Sequence, residues 1–410
     1  MSYYPVPVAA IGVLALFILV SFSPVALAQN APSVQEYGLS PNLTTVDAMA
    51  LDGSGNVWLV STSTSTLGMF NVTSQAYEEH YLPMSLILSN SQFTGLSADN
   101  NGYVWIADKT GNRILGYNGA SNQFFSYSLP QDLQLQPTSV IRSGDYLWIG
   151  MNMEIGRLDI TDPKVPLTDY YVDSYRSGIS DIKMDGAGNI WFVEYNTGKV
   201  GSYYAARDDT QEYAIPESNS YPTGLALDSQ KRLWYVESGL NKIGMFDTAS
   251  QSFAEYPPFA PEGKNSTLRM IAVDHDDNVW LTDTANGRLI KYYPTMNVSV
   301  PVNIGTTKSY PTLLAIDSDN NIWVVESGAQ KLVKVHVDSM YMGQTTPTPT
   351  PVQTSAAPGQ STPTATTVHT STIPGQSVTA TAKPSPGFAL PLAIFALLAA
   401  CCVILRRKKQ

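Results

Sequence analysis

Seven tryptophans at near-regular intervals predict an all-β protein built as a seven-bladed β-propeller. They are Trp58, Trp105, Trp148, Trp191, Trp234, Trp280 and Trp323, spaced 47, 43, 43, 43, 46 and 43 residues apart. Periods of 40–50 residues belong to propellers and solenoids. The same short strand surrounds each one, as in Gly55-Asn-Val-Trp-Leu-Val60 and Asn320-Asn-Ile-Trp-Val-Val325. Composition agrees, with 29 Gly, 27 Pro and 23 Tyr in 410 residues. Helix formers are scarce, and no apolar stripe of helical period appears between repeats.

Each repeat reads as four strands. An inner strand such as Gly224–Asp228 leads through a tight turn to the tryptophan strand. A third strand such as Asn241–Phe246 follows, then an outer strand such as Phe253–Tyr256. Four-stranded units at this period are propeller blades. The seventh unit runs out near Val337 without an outer strand. Val34–Leu39 (V-Q-E-Y-G-L) matches Thr210–Ile215 (T-Q-E-Y-A-I) and supplies the missing strand. The ring is expected to close through this N-terminal segment, which removes exposed sheet edges.

The segments outside the ring predict export. Residues 8–20 form an apolar run, and Ala26-Leu27-Ala28 follows, so 1–28 reads as a signal peptide. An uncleaved N-terminal anchor is the other reading. The propeller is assigned to 29–342. Residues 343–386 are rich in Thr, Ser and Pro, have little apolar surface to bury, and read as a disordered, O-glycosylated stalk. Phe388–Leu405 carries no charge and is long enough to span a bilayer as a helix. Arg406, Arg407, Lys408 and Lys409 come next and place that end in the cytoplasm. The propeller would then sit outside the cell, held to the membrane. Cys401 and Cys402, the only cysteines, lie in this span, so no disulfide supports the exported part. The sequons at Asn42, Asn71, Asn265 and Asn297 are candidate glycosylation sites on exposed loops.

Charge narrows the partners. The chain carries 34 acids and 24 bases, a net charge of −10, which excludes a phosphate backbone as ligand. Three rows of residues recur in phase with the tryptophans. Six residues before each stand Asp52, Asp99, Arg142, Asp185, Asp228, Asp274 and Asp317. An Asp there bonds the backbone of its own turn, and the turn lacks the ligand ladder of a calcium loop. Three residues after each stand Ser61, Asp108, Met151, Glu194, Glu237, Asp283 and Glu326. Glu194, Glu237, Asp283 and Glu326 are candidate ligands for a divalent cation, Mg2+ or Ca2+, in an acidic ring at the channel mouth. The competing reading pairs each acid with the base five residues on: Asp108–Arg113, Glu194–Lys199, Glu237–Lys242, Asp283–Arg288 and Glu326–Lys331. Eleven residues before the tryptophans, Asp47, Thr223, Arg269 and Thr312 are candidate ligand-binding residues at the same mouth. The four histidines, His80, His275, His336 and His369, fall in neither row.

The strings W-F-V-E, W-Y-V-E and W-V-V-E, with N-K-I-G at 241–244, resemble the blades of the streptogramin B (virginiamycin B) lyases. The D-x-x-G-N-x-W cadence is shared with NHL-like propellers. This resemblance covers about residues 33–338. It implies a magnesium-dependent elimination that linearises a cyclic depsipeptide, with a histidine base 14 residues before a blade glutamate. Carried to Glu194, Glu237 and Glu326, those base positions are Ser180, Thr223 and Thr312. Hydroxyls do not act as bases near pH 7 without strong activation, so no catalytic residue is assigned. Pro386-Gly387-Phe388 before the apolar span resembles the PGF-type sorting signal of archaeal surface proteins, which implies an archaeosortase as partner and a lipid in place of the 387–410 tail. The function expected is a cell-surface binding or adhesion module for an extracellular protein, glycan or peptide. The alternative is a metal-assisted lyase or lactone hydrolase at the mouth.

Overall fold

A computed structural model describes residues 32–337 except 132, 163–166, 175, 257–265 and 307–308, and in addition 346–347, 352–355 and 369–370. Seven antiparallel sheets form in order along the chain. Blade one is Ala48–Leu51, Val57–Ser61, Thr66–Asn71 and Ala76–Tyr81, from inner to outer strand. Blade four, Ile179–Met184, Ile190–Glu194, Lys199–Tyr204 and Asp209–Ala214, and blade five, Pro222–Leu227, Arg232–Glu237, Lys242–Asp247 and Ser252–Tyr256, repeat the plan. Blade seven takes Pro311–Ile316, Ile322–Glu326 and Lys331–His336 from one end of the ring and Ser33–Gly38 from the other. Val34 pairs with Val335 and Gly38 with Lys331, so the closure expected from the sequence forms.

One hydrogen-bonded unit recurs at the turn between inner and second strands. In blade seven, Asp317 Oδ1 accepts from the backbone N–H groups of Asp319 (3.0 Å) and Asn321 (2.9 Å), and Oδ2 accepts from the Trp323 indole N–H (2.9 Å). Asp52, Asp99, Asp185, Asp228 and Asp274 do the same, with indole bonds of 2.9–3.4 Å. The carboxylate ties the tight turn to the ring that fills the gap between blades, and the seven tryptophans are 0–6% exposed. Burial pulls the other way, yet bonds from Asn189 and Trp191 hold the Asp185 pKa below the usual carboxylate value, and bonds from Asn321 and Trp323 do so for Asp317. The structural reading of this row therefore holds. Blade three, with Arg142, is the exception: Arg142 Nη1 pairs with Asp99 of blade two.

The core lies between blades. Trp234, Ile243 and Tyr256 of blade five pack on Ile271, Leu281 and Tyr292 of blade six. Towards the axis the inner strands converge so closely that a Cβ at Gly95 would stand 2.8 Å from Ser139 Cα and from Thr138 O of blade three.

Three short pieces of the Thr/Pro tract are strands, unlike the wholly disordered stalk expected. Thr346–Pro347 adds to the outer strand of blade six, Val352–Ser355 to blade five and His369–Thr370 to blade three. An outer strand offers unpaired N–H and C=O groups to any extended segment, whatever its side chains. The signal peptide, the sorting motif, the C-terminal span and Asn265 lie outside the described residues. Among the described residues no helix is long and apolar enough to cross a membrane.

Two outcomes test this account. Asp317→Ala leaves a buried indole N–H unsatisfied and is expected to cost about 1–3 kcal/mol in denaturant unfolding. Deleting residues 32–38 exposes the third strand of blade seven, and is expected to lower Tm and turn a monodisperse protein into aggregates by light scattering; an unchanged monomer would refute the closure.

Candidate functional site

The face where inner strands begin and second strands end carries the residues singled out from the sequence. Inner strands bulge there, between Ile179 and Asp181, Leu268 and Ile271, and Pro311 and Leu313. The bulge turns hydroxyls towards backbone carbonyls: Ser180 Oγ donates to Pro222 O of the next blade (2.9 Å), and Thr312 Oγ1 to Val325 O (3.4 Å). Asp47 accepts the Thr62 N–H at 2.6 Å. Thr223 is half-buried and paired with Val236 in the sheet. Arg269 is exposed at its bulge. Of the four candidate ligand-binding residues, Asp47 and Thr312 are thus tied into the scaffold, and Arg269 faces solvent.

The acids at the ends of the second strands are fully buried. The five expected cross-strand registers all form, yet only the aspartates keep their bases. Asp108 Oδ2 accepts from Arg113 Nε at 2.9 Å, and Asp283 Oδ2 from Arg288 Nε at 2.9 Å. The Glu194–Lys199, Glu237–Lys242 and Glu326–Lys331 pairs are corrected: each lysine turns to other acids. Lys199 bonds Glu212 and Lys331 bonds Glu36, both on outer strands. Lys242 lies 2.5 Å from Glu217 and 3.9 Å from Glu255.

The outer strand decides the outcome. Glu212 and Glu255 stand across from Gly201 and Gly244, and Glu36 across from Val333, each two residues beyond the lysine. At the same place blades two and six have Ser126 and Pro301, and there the base is Arg and turns inward.

Stripped of their lysines, the glutamic acids are held towards the neutral form. Burial, with Glu255 close by, pushes Glu237 up to about 8. Burial, with Glu212 close by, pushes Glu194 up to about 7, and burial does the same for Glu326. Both carboxyl oxygens of Glu237 and of Glu326 lack hydrogen-bond partners among the described residues. The donor set that could take a metal, Glu194, Glu237, Asp283 and Glu326, is not gathered: among the described residues no three acids or imidazoles form a metal-holding group. Asp283 is instead filled by Arg288, Ser266, Thr267 N–H and Asn286. The structure adds a serine row that the sequence motifs do not announce. Ser91, Ser177, Ser220, Ser266 and Ser309 stand seventeen residues before the five acids; Ser91 donates to Asp108 (2.9 Å) and Ser266 to Asp283 (3.1 Å).

No described histidine joins this face. His80 is wedged between Trp58 and Tyr117, while at the opposite face the His275 backbone N–H donates to Asn320 Oδ1 and the His336 ring bonds Asn321. The described sequon asparagines are half-buried and engaged, Asn42 with Glu79 and Tyr81, Asn71 with the N–H groups of Thr73 and Ser74, Asn297 with Tyr292.

What the face does expose is aromatic. Of the ten large apolar side chains exposed among the described residues, eight lie at this end of the strands: Tyr81, Met84, Leu88, Leu133, Tyr171, Tyr195, Tyr221 and Tyr310. Tyr195 and Tyr221 pack with ring centroids 5.2 Å apart and planes tilted by 34°. Tyr221 and Tyr310 hold φ values of +44° and +49°, a region that costs a bulky residue about 1–3 kcal/mol. Their carbonyls are pinned by Ser238 Oγ (2.7 Å) and Ser327 Oγ (3.0 Å). On the opposite face a groove of about 340 Å³ lies between blades two and three, lined by Tyr103, Phe124, Phe125, Tyr127 and Arg142.

The family model for the virginiamycin B lyase family matches residues 141–358. The chain belongs to this family. Solved structures of the virginiamycin B lyase type share its fold. A streptogramin B lyase is 19% identical with a TM-score of 0.66, over 75% of this chain and 98% of that one. The virginiamycin B lyase of Staphylococcus aureus is 20% identical with the same TM-score, over 75% and 99%. A catalytically inactive form of that enzyme with quinupristin is 21% identical, again at 0.66 over 75% and 99%. No curated protein matches the chain.

The raised pKa values set a pH dependence. A carboxyl whose folded pKa lies above its unfolded value of 4.5 retains its proton in the fold while the unfolded chain loses it. Stability is therefore expected to fall as pH rises from about 4.5 to 8, most steeply between the unfolded and folded values, and to level off above the folded ones. Glu237→Gln, which stays neutral, is expected to flatten that fall; Tm measured from pH 5 to 8.5 checks it, and an equal slope in the variant would refute the assignment.

Proposed function

We propose that this member of the virginiamycin B lyase family is a binding module that takes an extracellular protein, glycan or peptide on the face bearing Tyr195, Tyr221 and Tyr310. The observation that carries the reading is the one-sided placement of exposed aromatic and apolar side chains, eight of ten at one end of the strands. Tyrosine supplies large contact area at low entropic cost, and charge is sparse where interfaces are buried. The strained backbone at Tyr221 and Tyr310 supports it too, since it holds two large rings at the surface, where they are only partly buried. Arg269, exposed among them, suits an anionic group on the partner. In the same proposal the chain is exported, carries glycans at sequons, and is presented by the Thr/Pro tract from a membrane or lipid anchor fitted by an archaeosortase.

The second reading is a metal-assisted lyase or lactone hydrolase. Family membership and three buried glutamic acids with pKa values near 7–8 favour it. Ser180, Thr223 and Thr312 stand where the family's base is expected, and Ser180 and Thr312 donate to carbonyls instead.

One experiment separates the two. The purified protein is screened by thermal shift against glycans and peptides, and incubated with quinupristin and magnesium under mass spectrometry. The binding reading expects a hit that raises Tm, and loss of that shift, with an unchanged or higher basal Tm, in the Tyr221→Ala/Tyr310→Ala variant. It also expects intact quinupristin. Linearised product at unchanged mass, the mark of elimination, would establish the lyase instead. A hit that survives the double variant and is lost on altering Phe124 in the opposite groove would move the site there.

A further inference from the structure

Blade three breaks the charge pattern of its neighbours. In blades four, five and seven the third strand opens with a lysine whose ammonium approaches an acid two residues along on the outer strand: Lys199 and Glu212, Lys242 and Glu255, Lys331 and Glu36. In blade three the third strand, Glu154–Asp159, opens with Glu154. Asp169 stands across from Gly156, just as Glu212 stands across from Gly201. Two acids therefore meet where the other blades set a base against an acid. The hairpin before Glu154 is shorter, since Trp148 faces Arg157, nine residues on, while Trp191 faces Ser202, eleven on. The second-strand acid of blades two, four, five, six and seven is Met151 here, fully buried.

Among the described residues neither carboxyl has a counter-charge. Glu154 is 2% exposed and Asp169 1%. Glu154 Oε1 and both Asp169 oxygens make no hydrogen bond among the described residues, and no described lysine or arginine forms an ion pair with either side chain. Arg157, on the same strand, lies over the rings of Tyr146, Trp148 and Tyr170. Burial, and the nearness of Asp169, hold Glu154 up to about 8, and burial holds Asp169 up to about 7. Paired buried carboxyls without a base either keep their protons or take up a cation.

We propose that blade three binds a divalent, oxygen-preferring cation of the calcium or magnesium class between Glu154 and Asp169, in the place that a lysine ammonium fills in blades four, five and seven. Two carboxylates balance a charge of +2, and three oxygens without other partners are available as ligands. Hard cations of this class take carboxylate oxygens and complete their shells with carbonyls and water. Uptake is written as one cation in and up to two protons out, one from each carboxyl. The site is separate from the glutamic acids at the second-strand ends and does not rest on the binding reading above.

The test is calorimetry on the purified full-length protein after chelation. Calcium or magnesium at 100-fold excess over its Kd is expected to raise Tm by about 5 °C. Titration heats are expected to vary with buffer ionisation enthalpy, as proton release requires. Glu154→Lys restores the neighbouring blades' arrangement and is expected to raise Tm without metal and to abolish the metal response. Asp169→Asn serves as the independent variant should Glu154→Lys not fold. Glu237→Gln is expected to keep the full response, which separates this site from the second-strand glutamic acids. No shift with either ion at millimolar concentration would overturn the proposal, as would a response retained in Glu154→Lys or Asp169→Asn.

Discussion

The bond between an aspartate and the indole six residues later organises this protein. One carboxylate holds two backbone N–H groups of a tight turn with one oxygen and the tryptophan N–H with the other. The turn sets where the second strand starts, and the ring sets how far the next blade stands off. Because the unit is local, it can form in each blade before the blades assemble. Its single omission, at Arg142, is bridged from the neighbouring blade: Arg142 pairs with Asp99 and lies over Tyr103 and Trp105. Blade three thus borrows an anchor from blade two.

A second constraint governs charge. A lysine at the start of a third strand has a choice between an acid beside it and an acid on the outer strand. Its flexible stem reaches the outer one, where part of the ammonium's hydration is retained. Arginine, whose partner in the outer strand is missing, donates Nε inward to the shorter aspartate. The consequence for the exposed face is that the glutamic acids beneath it hold their protons to higher pH than free carboxyls do, while the aspartates are offset by arginine. The face is then dominated by tyrosine rings rather than by a ring of negative charge.

Blade number, strand order, the closing segment and the Asp–Trp turn were legible in the sequence because all depend on residues at fixed short separations. The registers Asp108–Arg113 and Glu194–Lys199 were legible for the same reason. What each base does in that register was not, since it depends on a residue on a third strand, Glu212 for Lys199 and Pro301 for Arg288. The tyrosine face escaped notice because nothing in the letters around Tyr221 or Tyr310 announces a positive φ in a bulky residue. The switch at Glu154 was hidden by a hairpin two residues shorter than its neighbours, which shifts it out of the column of lysines.

The shared seventh blade also fixes an order of assembly. Ser33–Gly38 is made first and must wait for Lys331–His336, about three hundred residues later, before it has a partner. Closing a loop of that length costs about 3 kcal/mol more in chain entropy than closing a ten-residue hairpin. The four strands of each of blades one to six are neighbours in sequence, so the clasp is the pairing that closes the ring over the longest separation and is expected to form slowly. Until Lys331–His336 has been made, the growing arc keeps an unpaired strand at its start and an open flank at its end. A chain truncated anywhere before residue 331 therefore has no closed state to reach, and the completeness of the ring is registered in a single pair of strands.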